Sequence, residues 1–473
     1  MPKFTPALCL VLLASLTPTR AASAQSAASL SAEVLEFVSV SEPSFALSGV
    51  RVVDGTGASP LDDQTIVVAD GLITEVGPRA EVEVPDGARV LDLANHTVIP
   101  GIIGMHNHTD YAGARGRLTL GFSAPRMYLA SGVTATRTTG SMSPYIELNL
   151  KHSIDAGETP GPRMYITGPR LSEGLANYSP TGEEQARRIV RYWAEEGASW
   201  IKAHSRITRA NLAAAIDEAH RQGIKFTGHV CSVTYSEAID MGIDNLEHGV
   251  FVSSDFVADK EPDVCPPDQR ESLVDLDVEG PEVQALIQKA VDNGVAITST
   301  LAVVEQLTPD RPVEDRVLEM MSPEVREAFL ERNRMLQESS ASSVMGLVWN
   351  NALAFEKAFV DAGGLLVAGV DPTGNGGAIP GFGDQRNFEL LIEAGFTPLQ
   401  AVEIMTANGA KVLGEFERVG SITAGKWADM VVISGDPVSR PAEIRNVEIV
   451  FKDGVGYDAA KLLESVRESV GAR

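Results

Sequence analysis

The chain has 473 residues, a formal net charge of −25, 44% hydrophobic residues and 22% charged residues. That balance fits a soluble globular protein too long for one ordinary core, so a large unit with a smaller companion is expected. The acidic surface carries no Lys/Arg stripe, which argues against nucleic acid as a partner.

Residues 1–24 read as a signal peptide. Lys3 supplies a positive start, Ala7–Leu16 is an apolar stretch too short to span a bilayer, and Ala22-Ser23-Ala24 has the small-x-small form of a cleavage site. Cys9 lies too early in that stretch for lipid attachment. No later segment is long and apolar enough for a membrane helix, so a periplasmic or secreted protein with no integral membrane segment after signal removal is expected. Residues 25–44, which begin Ala/Ser-rich, read as a linker. Removing the signal leaves Cys231 and Cys265. In an oxidising compartment they could pair as a disulfide; two unpaired thiols are the alternative.

Residues 45–100 read as short strands that alternate apolar and polar residues and break at Asp-Gly and Gly. Residues 411–473 return to that style in RVGSITAGKWADMVVISGDP and IVFKDG. Between them, residues 101–410 alternate eight apolar segments with helical ones such as Arg209–Arg221, Val283–Asn293 and Pro398–Leu413. The expected fold is α/β, a (β/α)8 TIM barrel with a small composite β-sandwich built from both chain ends. An open doubly wound sheet is the runner-up.

The apolar segments carry polar residues at their C-terminal ends, the face on which barrel enzymes place their chemistry. His106 and His108 end GIIGMHNH, and positions i and i+2 of a strand point to one side. Lys202 sits inside SWIKAHS, where a buried ammonium must be paired, modified or neutral. His229 ends KFTGHV, His248 ends NLEHG and Asp371 ends LLVAGVD. Imidazole and carboxylate are common Zn²⁺ ligands, and this set on separate strands points to a metal site.

These segments resemble the amidohydrolase superfamily, in the branch with imidazolonepropionase-like and Xaa-Pro dipeptidase-like enzymes. VIPGIIGMHNH is similar to the family's opening PG-(L/I)-I-D-x-H-x-H, and GSITAGKWADMVVISGDP to its closing strand motif. The resemblance implies two divalent metal ions, with zinc the first choice. His106, His108 and Asp371 would hold one, and His229 and His248 the other. Lys202 would bridge them as a carbamate. A water held between two cations has a lowered pKa, and Asp371 would take its proton and pass it to the leaving amine. Tyr235, six residues past His229, is the oxyanion donor by position in related enzymes, with ordinary packing as the alternative. Two positions depart from the motif: Asn107 lies between the histidines, and Gly104 stands where many members have Asp.

His204, two residues past Lys202, should face the same way and touch substrate or orient a ligand. His220 reads as a surface residue, and His96 and His152 receive no role. Asp110 reads as a turn cap before a leaving-group contact. Segment 369–385 is Gly-rich but lacks the GxxxxGK[ST] pattern, so it reads as a pocket wall and not a phosphate cradle. Segment 253–280 is acidic, holds Cys265 and reads as a lid or rim loop, with a solvated insertion as the alternative.

The leading function is hydrolysis of an amide in a small N-acyl amino acid or dipeptide-like molecule, since the resemblance extends to N-acyl-amino-acid carboxypeptidases and ochratoxin-hydrolysing amidases. Arg115, Arg137 and Arg170 are the cations a substrate carboxylate could meet. Cyclic amide or lactone hydrolysis is the second reading, and a catalytically silent metal- or ligand-binding protein the third. The partner is a small-molecule amide, and the resemblance also allows a homo-oligomer.

Overall fold

The computed structural model describes residues 26–113, 116–174, 178–339, 343–372 and 376–472, so the expected signal peptide and Arg115 lie outside the described residues. Both chain ends build one nine-stranded sheet. Ser44–Val52 and Leu61–Ala69 pair antiparallel, and Leu61–Ala69 pairs in turn with Leu72–Pro78. Asp70 and Gly71, both at positive φ, make the two-residue turn that suits a hairpin's twist. His96–Pro100 then pairs antiparallel with Met430–Ser434, joining the N-terminal strands to the C-terminal ones. Alternating apolar residues give this sheet its own core, in which Phe45 stacks on Phe451 with ring centroids 4.8 Å apart.

The linker reading needs correction. Ser31 caps the helix Ala32–Leu35, and Val38–Val40 pairs antiparallel with Val455–Asp458 at the edge of the sheet. Val34 and Val40 are fully buried, so the alternating apolar residues outweigh the Ala/Ser-rich start.

The middle of the chain is mixed α/β with parallel strands. They are β1 (Ile102–Asn107), β2 (Val133–Thr138), β3 (Arg163–Tyr165, resuming as Thr167–Leu171), β4 (Trp200–Ala203), β5 (Lys225–Gly228), β6 (Asn245–Glu247), β7 (Ala296–Ser299) and β8 (Leu366–Ala368). The first half of β3 pairs with β2, which pairs with β1. Its second half pairs with β4, and β5 to β8 follow in order. Beyond β8, the Asp371 N–H donates to the His106 carbonyl at 2.8 Å, linking the end of β8 to the end of β1. The approach is close: a Cβ on Gly369 would lie 2.1 Å from the His106 nitrogen.

The helix Arg209–Arg221 follows β4 with the bounds expected of it. The expected helix over 398–413 is instead two, Pro398–Met405 and Ala407–Leu413. Thr406 breaks it at φ −129° and ψ −81°. The second helix packs on the parallel strands, where Asn408 donates to the Leu366 carbonyl at 3.1 Å. It thus crosses the expected boundary at 411. Among the described residues no helix is long and apolar enough to cross a membrane.

Candidate metal centre

Five imidazoles, one lysine and one carboxylate meet at the C-terminal ends of the parallel strands. His106 and His108 leave β1 with ring centroids 5.3 Å apart. His248 follows β6, and its ring centroid lies 4.6 Å from His106 and 4.6 Å from His229, which follows β5. His204 stacks on His229 at 4.5 Å. The Asp371 Oδ1 lies 3.6 Å from His106 Nε2 and 3.2 Å from His108 Nε2, and its Oδ2 lies 3.8 Å from His248 Nδ1. Lys202 Nζ is 3.2 Å from His106 Nε2 and 3.3 Å from the Thr139 carbonyl.

Two of these residues hold backbone conformations that L side chains seldom adopt: φ is +71° at His248 and +49° at Asp371. Such positions persist where the surroundings over-determine them, and they gather at functional sites.

The electrostatics favour electron-pair donors. Burial pulls the His106 imidazole down to about 4 and His248 to about 3, and it holds His229 and His204 well below the usual range. Neutral imidazoles keep a lone pair for a cation. Burial also lowers the Lys202 ammonium to about 8, against the pull of Glu247 and Asp371. For Asp371 burial works the other way, yet His106, a hydrogen bond with His108, and His248 hold its carboxyl well below the ordinary range.

Glu247 was missed in the sequence. It ends β6, is fully buried and accepts from His106 Nδ1 at 2.7 Å. An ionised carboxylate only accepts, so Nδ1 carries the proton and Nε2 faces the centre with its lone pair. Burial opposes ionisation of Glu247, but the Arg137 guanidinium and then His106 keep it ionised. Arg137 donates to it at 2.6 Å, Asn245 at 3.0 Å, and Thr227 closes the shell. The signal was a charged residue inside the apolar segment NLEHG, hidden beside the more conspicuous His248.

The two departures from the family motif form one feature. Asn107 donates to Asp384 at 3.3 Å and accepts from the Val370 N–H at 3.2 Å, tying β1 to the chain leaving β8. A Cβ on Gly104 would lie 2.1 Å from the Asn107 amide nitrogen, so Gly104 makes the room that Asn107 occupies.

Several expectations change. Tyr235 is buried, and its hydroxyl donates to the Glu247 carbonyl at 2.7 Å. In this structure its proton is given to the peptide before His248 and not to the centre. Asp110 pairs with Arg117 across the hairpin formed by Asp110–Gly113 and Gly116–Thr119. Arg137 lies under Trp200 and donates to the Met105 carbonyl and Glu247, so it is unavailable to substrate. His220 is at the surface, paired with Asp244 at 3.0 Å.

Cys231 and Cys265 form a disulfide. It ties the loop after β5 to segment 253–280, where Lys260 donates to the Ser232 carbonyl and Ser254 to the Cys231 carbonyl. That segment is therefore anchored at the rim and is not a solvated insertion. The Gly-rich segment after Asp371 is held by Tyr111, which donates to the Gly376 carbonyl at 2.9 Å, and by Gln306, which accepts from the Gly377 N–H at 2.8 Å.

The donor set fits a divalent cation. One donor atom each from His106, His248 and Asp371 lies within 4.8 Å of the others, and the buried Nδ1 of His108 has no hydrogen-bond partner. Neutral nitrogens around a carboxylate are the ligand chemistry of divalent metals.

Comparison with known proteins agrees. The profile described as "Amidohydrolase family" matches residues 97–456. A dihydroorotase of Anaeromyxobacter dehalogenans (strain 2CP-C) is 35% identical over 195 residues, 39% of this chain and 41% of that protein, so the chain spans about two fifths of that curated relative. Among solved structures, a putative prolidase from Bifidobacterium longum aligns at 26% identity and TM-score 0.64, covering 89% of this chain and 98% of the other. A Xaa-Pro dipeptidase with bound methionine in the active site aligns at 20% identity and TM-score 0.66, covering 88% and 100%, which bears on fold alone. The chain therefore belongs to the amidohydrolase family.

Proposed function

We propose that this protein is an exported enzyme that cleaves the amide bond of a small N-acyl amino acid or dipeptide-like substrate with two divalent ions, zinc as first choice. The observation that carries this reading is the convergence of His106, His108, Lys202, His229, His248 and Asp371 from five strands. His106, His108 and Asp371 would hold one ion, His229 and His248 the other, and Lys202 as carboxylysine would span them. A carbamate replaces a buried ammonium with an anion bearing two oxygens, which removes the cost of burying Lys202 as a cation. The parallel strands are read as a closed eight-stranded barrel, supported by the hydrogen bond from Asp371 to the His106 carbonyl, with the chain-end sheet as a composite sandwich. The disulfide supports export, since such bonds persist in oxidising compartments.

When bound, the ions would acidify water and polarise the scissile carbonyl. The protein's own residues do the rest. Asp371, ionised at neutral pH, accepts the proton of the attacking water at its carboxylate and returns it to the leaving nitrogen. Glu247 holds His106 in one tautomer, and Thr300 fixes His248 through a 2.7 Å hydrogen bond at Nδ1. Named relatives also favour a second reading, cyclic amide hydrolysis. Beside the dihydroorotase, an imidazolonepropionase of Pseudomonas putida is 40% identical over 57 residues, 12% of this chain and 14% of that protein.

The test is a screen of N-acyl amino acids, dipeptides and cyclic amides on zinc-loaded protein, with Asp371→Asn as control. Released amino acid, lost in the control, is expected. Ring opening alone would replace the first reading with the second, and an equally active control would overturn Asp371 as the base.

A further inference from the structure

Arg170 is the penultimate residue of β3, and its register partner on β4 is Lys202. Residues paired across neighbouring parallel strands project to the same face, so both side chains leave toward the metal centre. Gly140, after β2, confirms how close they run. A Cβ there would lie 2.4 Å from Arg170 Cγ and 2.7 Å from Lys202 Cδ. The stems of Arg170 and Lys202 thus run side by side from neighbouring strands.

What sets Arg170 apart is its bonding. Its Nε is buried without a hydrogen-bond partner, and, among the described residues, it makes no ion pair, whereas Arg126, Arg137, Arg326 and Arg445, each with one buried nitrogen unpaired, all hold a carboxylate. Arg137 is committed to Glu247, and Arg117 pairs with Asp110. A planar guanidinium with unmade hydrogen bonds is completed by a carboxylate, which it can grip with two parallel N–H···O bonds. In an N-acyl amino acid the free carboxylate is one carbon from the leaving nitrogen. A cation that anchors it must therefore stand beside the reacting centre, as Arg170 does.

We propose that Arg170 anchors the free α-carboxylate of the leaving amino acid, which makes the enzyme selective for acids over neutral or internal amides. This rests on the amide reading above, and it names the residue that sets the substrate class. The contrasting role for the same geometry is that Arg170 only supports Lys202. The two differ in what a substitution does to a substrate that lacks the carboxylate.

The experiment pairs an N-acyl amino acid with its carboxamide on metal-loaded wild type, Arg170→Met and Arg170→Lys. It adds calorimetry of the product amino acid and its amide, and the metal content of each variant. Arg170→Met is expected to lose about 100-fold in kcat/KM on the acid, mostly through KM. Carboxamide turnover and metal content should stay at wild-type levels, and Arg170→Lys should recover part of the loss. Binding of the free amino acid should weaken at least about 10-fold, with no change for its amide. Equal losses on acid and amide, or a loss of metal, would overturn the proposal in favour of support for Lys202. A wild type that cleaves neither compound would sink the amide reading instead. Calorimetry would still judge Arg170, because amino-acid binding unaffected by Arg170→Met overturns the anchor on its own.

Discussion

The nine-stranded chain-end sheet and the ends of the parallel strands are built from the same polypeptide to opposite standards. In the sheet, the packed core is apolar, the buried polar residues in its strands include Ser48, Thr65 and Thr97, and the turn at Asp70-Gly71 uses residues that tolerate its backbone. At the strand ends, buried positions include His106, Arg137, Lys202, Glu247 and Asp371, and His248 and Asp371 sit at positive φ. The first arrangement lowers the free energy of the fold. The second raises it locally and persists because Glu247, Arg137, Asn245 and Thr227 satisfy one another around His106. The lesson is that local rule-breaking marks the chemistry, and rule-keeping marks the support.

Substitutions should separate the two regions. The largest effect on activity is expected at Asp371→Asn, which removes the proton acceptor while keeping the shape. kcat should fall by about 10²–10⁴-fold with little change in melting temperature. Steady-state kinetics and thermal unfolding on the same sample would check it.

Next comes Glu247→Gln. It loosens His106 and leaves the buried Arg137 without its counter-charge, so one change should strike both function and stability. Metal affinity should drop about 10–100-fold in a chelator competition. Stability should fall by about 3–5 kcal/mol in denaturant unfolding. If stability fell with no change in metal affinity, Glu247 would belong to the supporting region alone.

Phe451→Ala is the converse. Loss of a buried ring stacked on Phe45 should cost about 3–5 kcal/mol. Yet kcat/KM should stay within about twofold at temperatures where the variant is folded, because additivity holds for sites that share no partners. An activity loss well beyond the folded fraction would mean that the sheet helps shape the centre.

The smallest effect is a slope with pH. Burial raises the Glu356 carboxyl to about 8, with only Ser299, at 2.7 Å, working against it. The unfolded chain releases this proton near the ordinary glutamate value, whereas the folded chain keeps it until about 8. Between those values the folded state binds more protons, so stability declines as pH rises. Glu356→Gln should flatten that decline and raise stability at pH 8 by on the order of 1 kcal/mol or more. An unchanged slope in unfolding curves from pH 5 to 8 would contradict the assignment.

Much of this was legible in the sequence because the centre is built from conspicuous residues at the ends of apolar segments. His106, His108, Lys202, His229, His248 and Asp371 each stood out where a strand should be hydrophobic, and they do come together. The alternation of strands and helices was readable for the same reason, since each period leaves its own pattern. What stayed hidden depends on contacts between distant segments. The hydroxyl of Tyr235 could have pointed into the cleft, and only the fold turns it to the Glu247 carbonyl. Gly104 and Asn107 looked like two unrelated departures until the space between them was visible. The stretch before residue 44 was read from its Ala/Ser-rich start, although Val34, Val38 and Val40 carried the opposite message. Thr406 ends a helix whose apolar periodicity continues unbroken through it.

The most direct test of the account is the metal stoichiometry of the intact protein. It should be measured by elemental analysis after zinc loading and gel filtration, alongside His248→Ala and Lys202→Met. The account predicts two ions per wild-type chain, and fewer in each variant with the fold retained. A wild type that retains no divalent ion, or variants that keep the full complement, would contradict a pair of cations held by these side chains.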